Sequence, residues 1–402
     1  MKKLSSVLLL LVVVLVFLCG CTQTSNPKNE NHVTIWHDKE EVVIDVLSNA
    51  LKEALPELTI VFEKKSNLTE ALKLVGNDAK VAPDLYFFAH DKMGVYAEMG
   101  ILSPISDFVS QDMLQDHLSF TLAAATYQDT LYQLPLYFET LLFMCNAKYM
   151  TQDEVPKTTE ELLAYMDRKT KYGHYGFVEQ HSTPYYASAW IHAFSGEIIT
   201  KDGTPDLNTQ SVKDALAYHL KFVNYMPGET EYATVNTLFL EGKAHSTIAG
   251  PWFVPTVLSA GIDMQIAPMP IVDATGIPLS PYSGVQGVHV LKARAKVNGD
   301  NIQKVLEALL EPQISVDLAL ASGCAPAQNA CYEQEVISNN PLVMTMKETA
   351  QNALPMPNLP QMDVMWSVVG NLLTDVNMRN ADVDKACNDA QKKALDLIEA
   401  MK

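Results

Sequence analysis

Between Val33 and Ala89 the chain alternates strand and helix patterns, and this alternation limits the possible folds more than any other feature. Val33-Thr34-Ile35-Trp36 is a β-rich run, and Val42, Val43, Val46, Leu47, Ala50 and Ala54 recur at helical spacing. Leu58-Thr59-Ile60-Val61-Phe62 predicts a second strand, a helix is predicted from about Leu68 to Val75, and Asp84-Leu85-Tyr86-Phe87-Phe88-Ala89 predicts a third strand. A βαβαβ run implies parallel strands joined by right-handed crossovers. Ligands of such sheets sit beyond the carboxyl ends of the strands. Here those ends carry His37-Asp38-Lys39-Glu40 and His90-Asp91-Lys92, so charged clusters converge on one edge.

A second set of elements follows. It comprises an apolar run from Leu141 to Asn146, helical patterns near 160–169 and 211–225, and strands at 244–249 and 264–267. Gly250-Pro251-Trp252 reads as a turn that aims a Trp outward, Gln286 to Leu291 is β-rich again, and helices close the chain. At 402 residues and 48% hydrophobic, the chain exceeds the size at which a single core stops growing, and about two to three domains are expected. The net charge of −18 repels a phosphate backbone and excludes nucleic acid as a partner. The chain has no G-x-S-x-G, P-loop or G-x-G-x-x-G fingerprint, and no cofactor is expected. Neither HExxH nor CxxC occurs, and His37, His90, His174, His181 and His192 are scattered, so no metal site is expected.

The N-terminus has the three-part layout of a secretory signal: Lys2 and Lys3, an apolar run from Val7 to Leu18, then small residues. Leu18-Cys19-Gly20-Cys21 resembles a bacterial lipobox, which implies cleavage after residue 20, acylation of Cys21 and a flexible tether over 21–31. The mature chain would lose Lys2 and Lys3 and become more acidic. Cys145 and Cys387 lie on apolar patterns and read as core thiols, whereas Cys324 and Cys331, seven apart in a loop-like stretch, could pair in an oxidising compartment.

Several blocks resemble the substrate-binding proteins of carbohydrate ABC transporters, above all the maltose/maltodextrin-binding proteins. They are Val33-Thr34-Ile35-Trp36, Ala82-Pro83-Asp84 through Phe88-Ala89-His90-Asp91-Lys92, Leu134-Pro135 with Glu139, Pro156-Lys157-Thr158, Pro184-Tyr185-Tyr186, Gly250-Pro251-Trp252, and Met356-Pro357-Asn358-Leu359-Pro360-Gln361-Met362 to Trp366. The resemblance spans about 32–400. It implies an α/β fold of two lobes, each a mainly parallel sheet flanked by helices, that close by hinge bending over a sugar. The chain would cross between lobes near 138–142, 284–290 and 334–342, dividing into 32–138 plus 285–335 and 139–284 plus 336–402. The partners implied are a maltodextrin or related oligosaccharide and the permease subunits of the transporter. The protein would act as a monomer, lipid-anchored on the outer face of the cell membrane.

A sugar ring presents an apolar CH face and a hydroxyl rim, so its site needs flat aromatics together with carboxylates or amides. The resemblance assigns Phe88, Tyr185, Tyr232, Trp252 and Trp366 to the faces and Asp38, Glu40, Asp91, Lys92 and Glu139 to the hydroxyls. It departs from the family pattern at Phe88 (usually Trp), Lys92 (usually Arg) and Thr183 (often Glu). Phe lacks an indole donor, Lys lacks a planar fork, and Thr cannot bind two hydroxyls as a carboxylate does. Another gluco-oligosaccharide or a cyclodextrin is the alternative ligand. The alternatives from other classes are a secreted glycoside hydrolase using paired carboxylates such as Asp91 and Glu139, and a lipoprotein adhesin or chemosensory component.

Overall fold

The computed structural model describes residues 31–228 and 231–401, so the signal segment, Cys21 and nearly all of the proposed tether lie outside the described residues. Strands β1 (His32–His37), β2 (Thr59–Lys64) and β3 (Leu85–Ala89) pair in parallel in the order β3-β1-β2. The intervening helices, Glu41–Ala54 and Leu68–Val75, supply the crossovers. In the first of these helices Val43, Leu47 and Leu51 recur every fourth residue and are buried, whereas β1 buries every second residue. Both periods match the sequence patterns.

Two long strands complete the main sheet. β4 (Leu134–Thr140) and β8 (Tyr282–Leu291) are buried along their whole length, and β8 lies antiparallel between β3 and β4. A single residue, Leu141, separates β4 from β5 (Leu142–Asn146), which belongs to a different sheet with β6 (Ser246–Ala249) and β7 (Met264–Ala267). That smaller sheet is antiparallel throughout its named strands, order β7-β5-β6.

The expectation of mainly parallel sheets holds in the main sheet for β1 to β3 and for the direction of β4, which like β3 is antiparallel to β8; β8 and the named strands of the smaller sheet depart from it. A strand that arrives straight from another sheet needs no crossover helix on its own sheet, and nothing then forces it to run parallel. β8, which comes back from the smaller sheet, is such a strand, whereas β4 leads out to that sheet and keeps the direction of β1 to β3. β4 and β8 are also where the two sheets are joined.

Each sheet has its own core. One gathers Val33, Ile35, Leu47, Leu85, Phe87, Leu134, Val288, Ile302 and Leu318; another gathers Phe143, Leu162, Tyr165, Phe177, Trp190, Phe222 and Ile248. A third is built from the helices Pro184–Ala193, Gln210–Val223, Met362–Arg379 and Val383–Glu399. Asp84, 1% exposed, anchors the first core electrostatically. Its carboxylate accepts from the Thr34 amide (2.8 Å), Arg294 Nε (2.8 Å) and Asn298 Nδ2 (3.0 Å). Cys145, Cys324, Cys331 and Cys387 are all free and buried, so Cys324 and Cys331 do not pair. Among the described residues no helix is long and apolar enough to cross a membrane.

Candidate functional site

The carboxyl ends of β1 and β3 and the crossing strands β4 and β8 meet at a cleft of about 600 Å³. Asp38, Lys39 and Glu40 enter it from the loop after β1, Phe88 from the end of β3, Tyr137 and Glu139 from β4, and Gln286 from β8. Tyr232, Trp252, Ser322 and Cys324 line it as well. Of the residues singled out in the sequence, the cleft thus brings together Asp38, Glu40, Phe88, Glu139, Tyr232 and Trp252.

Glu139 sits at the junction of the two sheets and is 9% exposed. Its Oε1 accepts from Gln286 Nε2 at 2.6 Å and its Oε2 from the Cys324 thiol at 3.4 Å. Burial pushes the Glu139 carboxyl above its ordinary range, against the opposing effect of the nearby Lys39 ammonium and those two donors. Lys39 is itself held in place: its Nζ pairs with Asp38 Oδ1 at 2.8 Å and lies 5.2 Å from the centre of the Phe88 ring. Glu40 occupies the N-cap position of the Glu41–Ala54 helix without using its carboxylate for the cap.

Trp252 is set by the turn that precedes it. A Cβ at Gly250 would come within 2.1 Å of the indole, so only glycine lets the ring fold back over the backbone. The ring packs between two apolar cores and lies 6.3 Å from Tyr185, tilted by 44°. Tyr185 follows Pro184, which occupies the first turn of its helix, and donates to the Tyr282 carbonyl at 3.4 Å. Tyr282 in turn meets Trp366 edge-on at 5.9 Å. Phe88, Tyr185 and Trp366 are partly exposed on one apolar cluster, so Trp252, Tyr185, Trp366 and Phe88 form a connected aromatic wall.

Asp91, Lys92, Tyr185 and Trp366 do not line the 600 Å³ cleft itself. Asp91 is 8% exposed and accepts from the Trp366 indole at 3.2 Å. Lys92 pairs with Asp363 at 2.9 Å, and Asp363 also takes Lys73 at 2.6 Å. Burial alone would raise the Asp363 carboxyl, but hydrogen bonds from Lys73 and Lys92 outweigh it and hold it below the usual range. Sequence reasoning missed Tyr137, Gln286, Ser322 and Cys324, and left Lys39 among the loop residues without a role. One signal was available: a Gln flanked by glycine inside the apolar run of β8.

His90, beside the cleft, is structural. It is fully buried, accepts from the Val285 amide at 3.1 Å and contacts the Met356 carbonyl at 2.8 Å, which makes Nε2 the donor. Burial lowers its pKa and keeps it neutral. Among the described residues no group of three or more His, Cys, Asp or Glu could hold a metal ion.

Comparison with known proteins decides the family. The model for bacterial extracellular solute-binding protein matches residues 48–345. The chain belongs to this family. It is a solute-binding protein and not an enzyme, which removes the hydrolase alternative. It is 30% identical over 378 residues to a maltotriose-binding protein of Pyrococcus abyssi, covering 90% of this chain and 82% of that one. It is 26% identical over 400 residues to a galactooligosaccharide-binding protein of Bacillus subtilis, covering 95% and 94%. Among solved structures, the maltose/maltodextrin-binding domain of Bdellovibrio bacteriovorus bound to maltotriose superposes with a TM-score of 0.82 at 25% identity, covering 92% of this chain and all of that one. That solved structure shares its α/β architecture.

Proposed function

We propose that this solute-binding protein captures maltose and longer maltodextrins in the cleft between its lobes and delivers them to an ABC permease. The observation that carries the reading is the pairing, within one cleft, of an aromatic surface with a buried carboxylate at the crossing strands. Phe88, Tyr232 and Trp252 offer faces to sugar rings, and Asp38, Glu40 and Glu139 accept from hydroxyls. Tyr185 and Trp366 extend the aromatic wall for further rings, with Asp91 orienting the Trp366 indole and Lys92 held beside it. The relatives named for maltotriose support this choice of sugar.

The lobes are assigned as 32–138 plus 285–335 and 139–284 plus 336–402. Support comes from the separate cores of the two sheets and from the single-residue break at Leu141. A hinge at Glu139 and Gln286 would couple closure to capture, because both residues line the cleft and lie on the strands that join the sheets. The signal layout and Cys21 support a lipid anchor at the outer face of the membrane, where a monomer would meet its permease.

Calorimetric titration of the mature chain with maltotriose, a cyclodextrin, a galactooligosaccharide and an unrelated disaccharide tests the ligand. Maltotriose is expected to bind most tightly. Preference for the galactooligosaccharide, the named ligand of one relative, would overturn the choice of sugar and leave the fold untouched.

A further inference from the structure

Gln286 carries a polar atom that the cleft leaves unused. The side chain is 5% exposed and lines the cleft, its Nε2 donates to Glu139, and its Oε1 has no partner among the described residues. Buried acceptors are nearly always satisfied, so an orphan at a binding site points to something that arrives there. Its position is built into the backbone. The β4–β8 register shifts at Gln286/Gly287, with Gln286 opposite Tyr137 and Gly287 opposite Pro135, so Leu136 is an extra residue. Bulges of this kind re-aim side chains beside functional sites. Gly287 permits it: a Cβ there would lie 2.2 Å from the Leu134 carbonyl oxygen.

We propose that Gln286 is a specificity-determining residue whose Oε1 accepts a hydroxyl of the bound oligosaccharide while its Nε2 remains on Glu139. The inference rests on the maltodextrin reading and deepens it. Each Glu139 oxygen already accepts one protein donor, Gln286 on one side and Cys324 on the other, and each keeps capacity for another. Carboxylate and amide carbonyl thus stand side by side as acceptors. Two neighbouring hydroxyls, both acting as donors, match that pair; an isolated hydroxyl satisfies only one of its members. The ligand feature read here is therefore a vicinal diol on one ring.

The test is calorimetry on the mature chain with maltotriose and its monodeoxy analogues, comparing wild type with Gln286→Leu and Gln286→Met. Both variants are expected to bind maltotriose about 10-fold or more weakly. In the wild type the analogue lacking the partner hydroxyl loses affinity by a similar factor; in the variants that penalty disappears while the other deoxy penalties remain. Affinity within twofold of wild type overturns the proposal. So does a general loss with every deoxy penalty intact, since Gln286 would then act only by positioning Glu139. If neither variant folds, the Gln286 side-chain carbonyl is followed in wild type by selective ¹³C labelling of glutamine: a shift on adding maltotriose is expected, and none refutes the contact. Absence of maltotriose binding by the wild type overturns both readings, whereas binding by wild type and variants alike overturns this one alone.

Discussion

Acidification is expected to weaken sugar binding through Glu139, at a pH higher than an ordinary glutamate would require. Burial holds its carboxyl above the usual range, so the free protein takes up a proton there earlier than a model glutamate near pH 4.3. Sugar hydroxyls donate more strongly to the ionised form than to the neutral acid, so binding lowers this pKa and releases a proton in the window between the free and bound values. Affinity then falls by up to tenfold per pH unit across the window. Hydrogen bonds to a charged group contribute about 1.5–3 kcal/mol, so full protonation is expected to cost about 10- to 150-fold in Kd. The perturbation is Glu139→Gln, of nearly the same shape. It removes the titrating carboxyl and leaves the neighbouring Asp38, Lys39 and Glu40 in place. The assay is calorimetry of maltotriose from pH 8 to pH 4.5 in two buffers of different ionisation enthalpy, which counts the proton directly. Stability of the unliganded protein moves the opposite way. With the folded pKa raised, the native state holds more protons than the unfolded one in that window, so this residue's unfavourable contribution sets in as pH rises. Glu139→Gln is accordingly expected to melt higher than wild type near pH 7, with the gap closing toward pH 4. A wild-type profile no steeper than that of the variant would refute the reasoning.

Three further outcomes are expected. Asp84→Ala strands the buried Arg294 guanidinium and the Thr34 amide and is expected to cost about 3–5 kcal/mol in denaturant unfolding; an unchanged midpoint would remove Asp84 as an anchor of the first core. Trp366→Ala is expected to weaken maltotriose binding by more than ~1 kcal/mol, and unchanged affinity would take Trp366 out of the site. Cys21→Ser is expected to release the chain from the membrane fraction, with the acyl mass absent from its N-terminus; continued membrane association would sink the lipid anchor.

The parts of the fold legible in the sequence are those whose signal is local. Every second residue of β1 and every fourth of the Glu41–Ala54 helix are buried, and these periods can be counted without knowing any partner. The direction of β8 could not be counted in that way. An all-buried strand shows no alternation, and its antiparallel placement between β3 and β4 comes from pairings across up to about two hundred residues of chain. Cys324 illustrates the same limit. In sequence its neighbour is Cys331, seven residues away; in space its partner is Glu139, 185 residues away.

The site divides along the same line, and the division has a physical cause. Asp38 and Glu40 follow the end of β1 and Phe88 lies at the end of β3, where a parallel sheet presents its ligands whatever the rest of the chain does. Trp252 follows a Gly-Pro turn that can be read directly. Gln286 and Lys39 acquire their positions only through contacts made elsewhere: a one-residue bulge on β4 for Gln286, and an ion pair plus an aromatic ring for Lys39. Glu139 belongs to both groups. Its place on a crossing strand is legible, but its raised pKa depends on burial among Lys39, Gln286 and Cys324, which converge from three separate segments. Recognition of a sugar face can thus be written into short motifs, whereas discrimination among its hydroxyls depends on how those motifs are packed against one another.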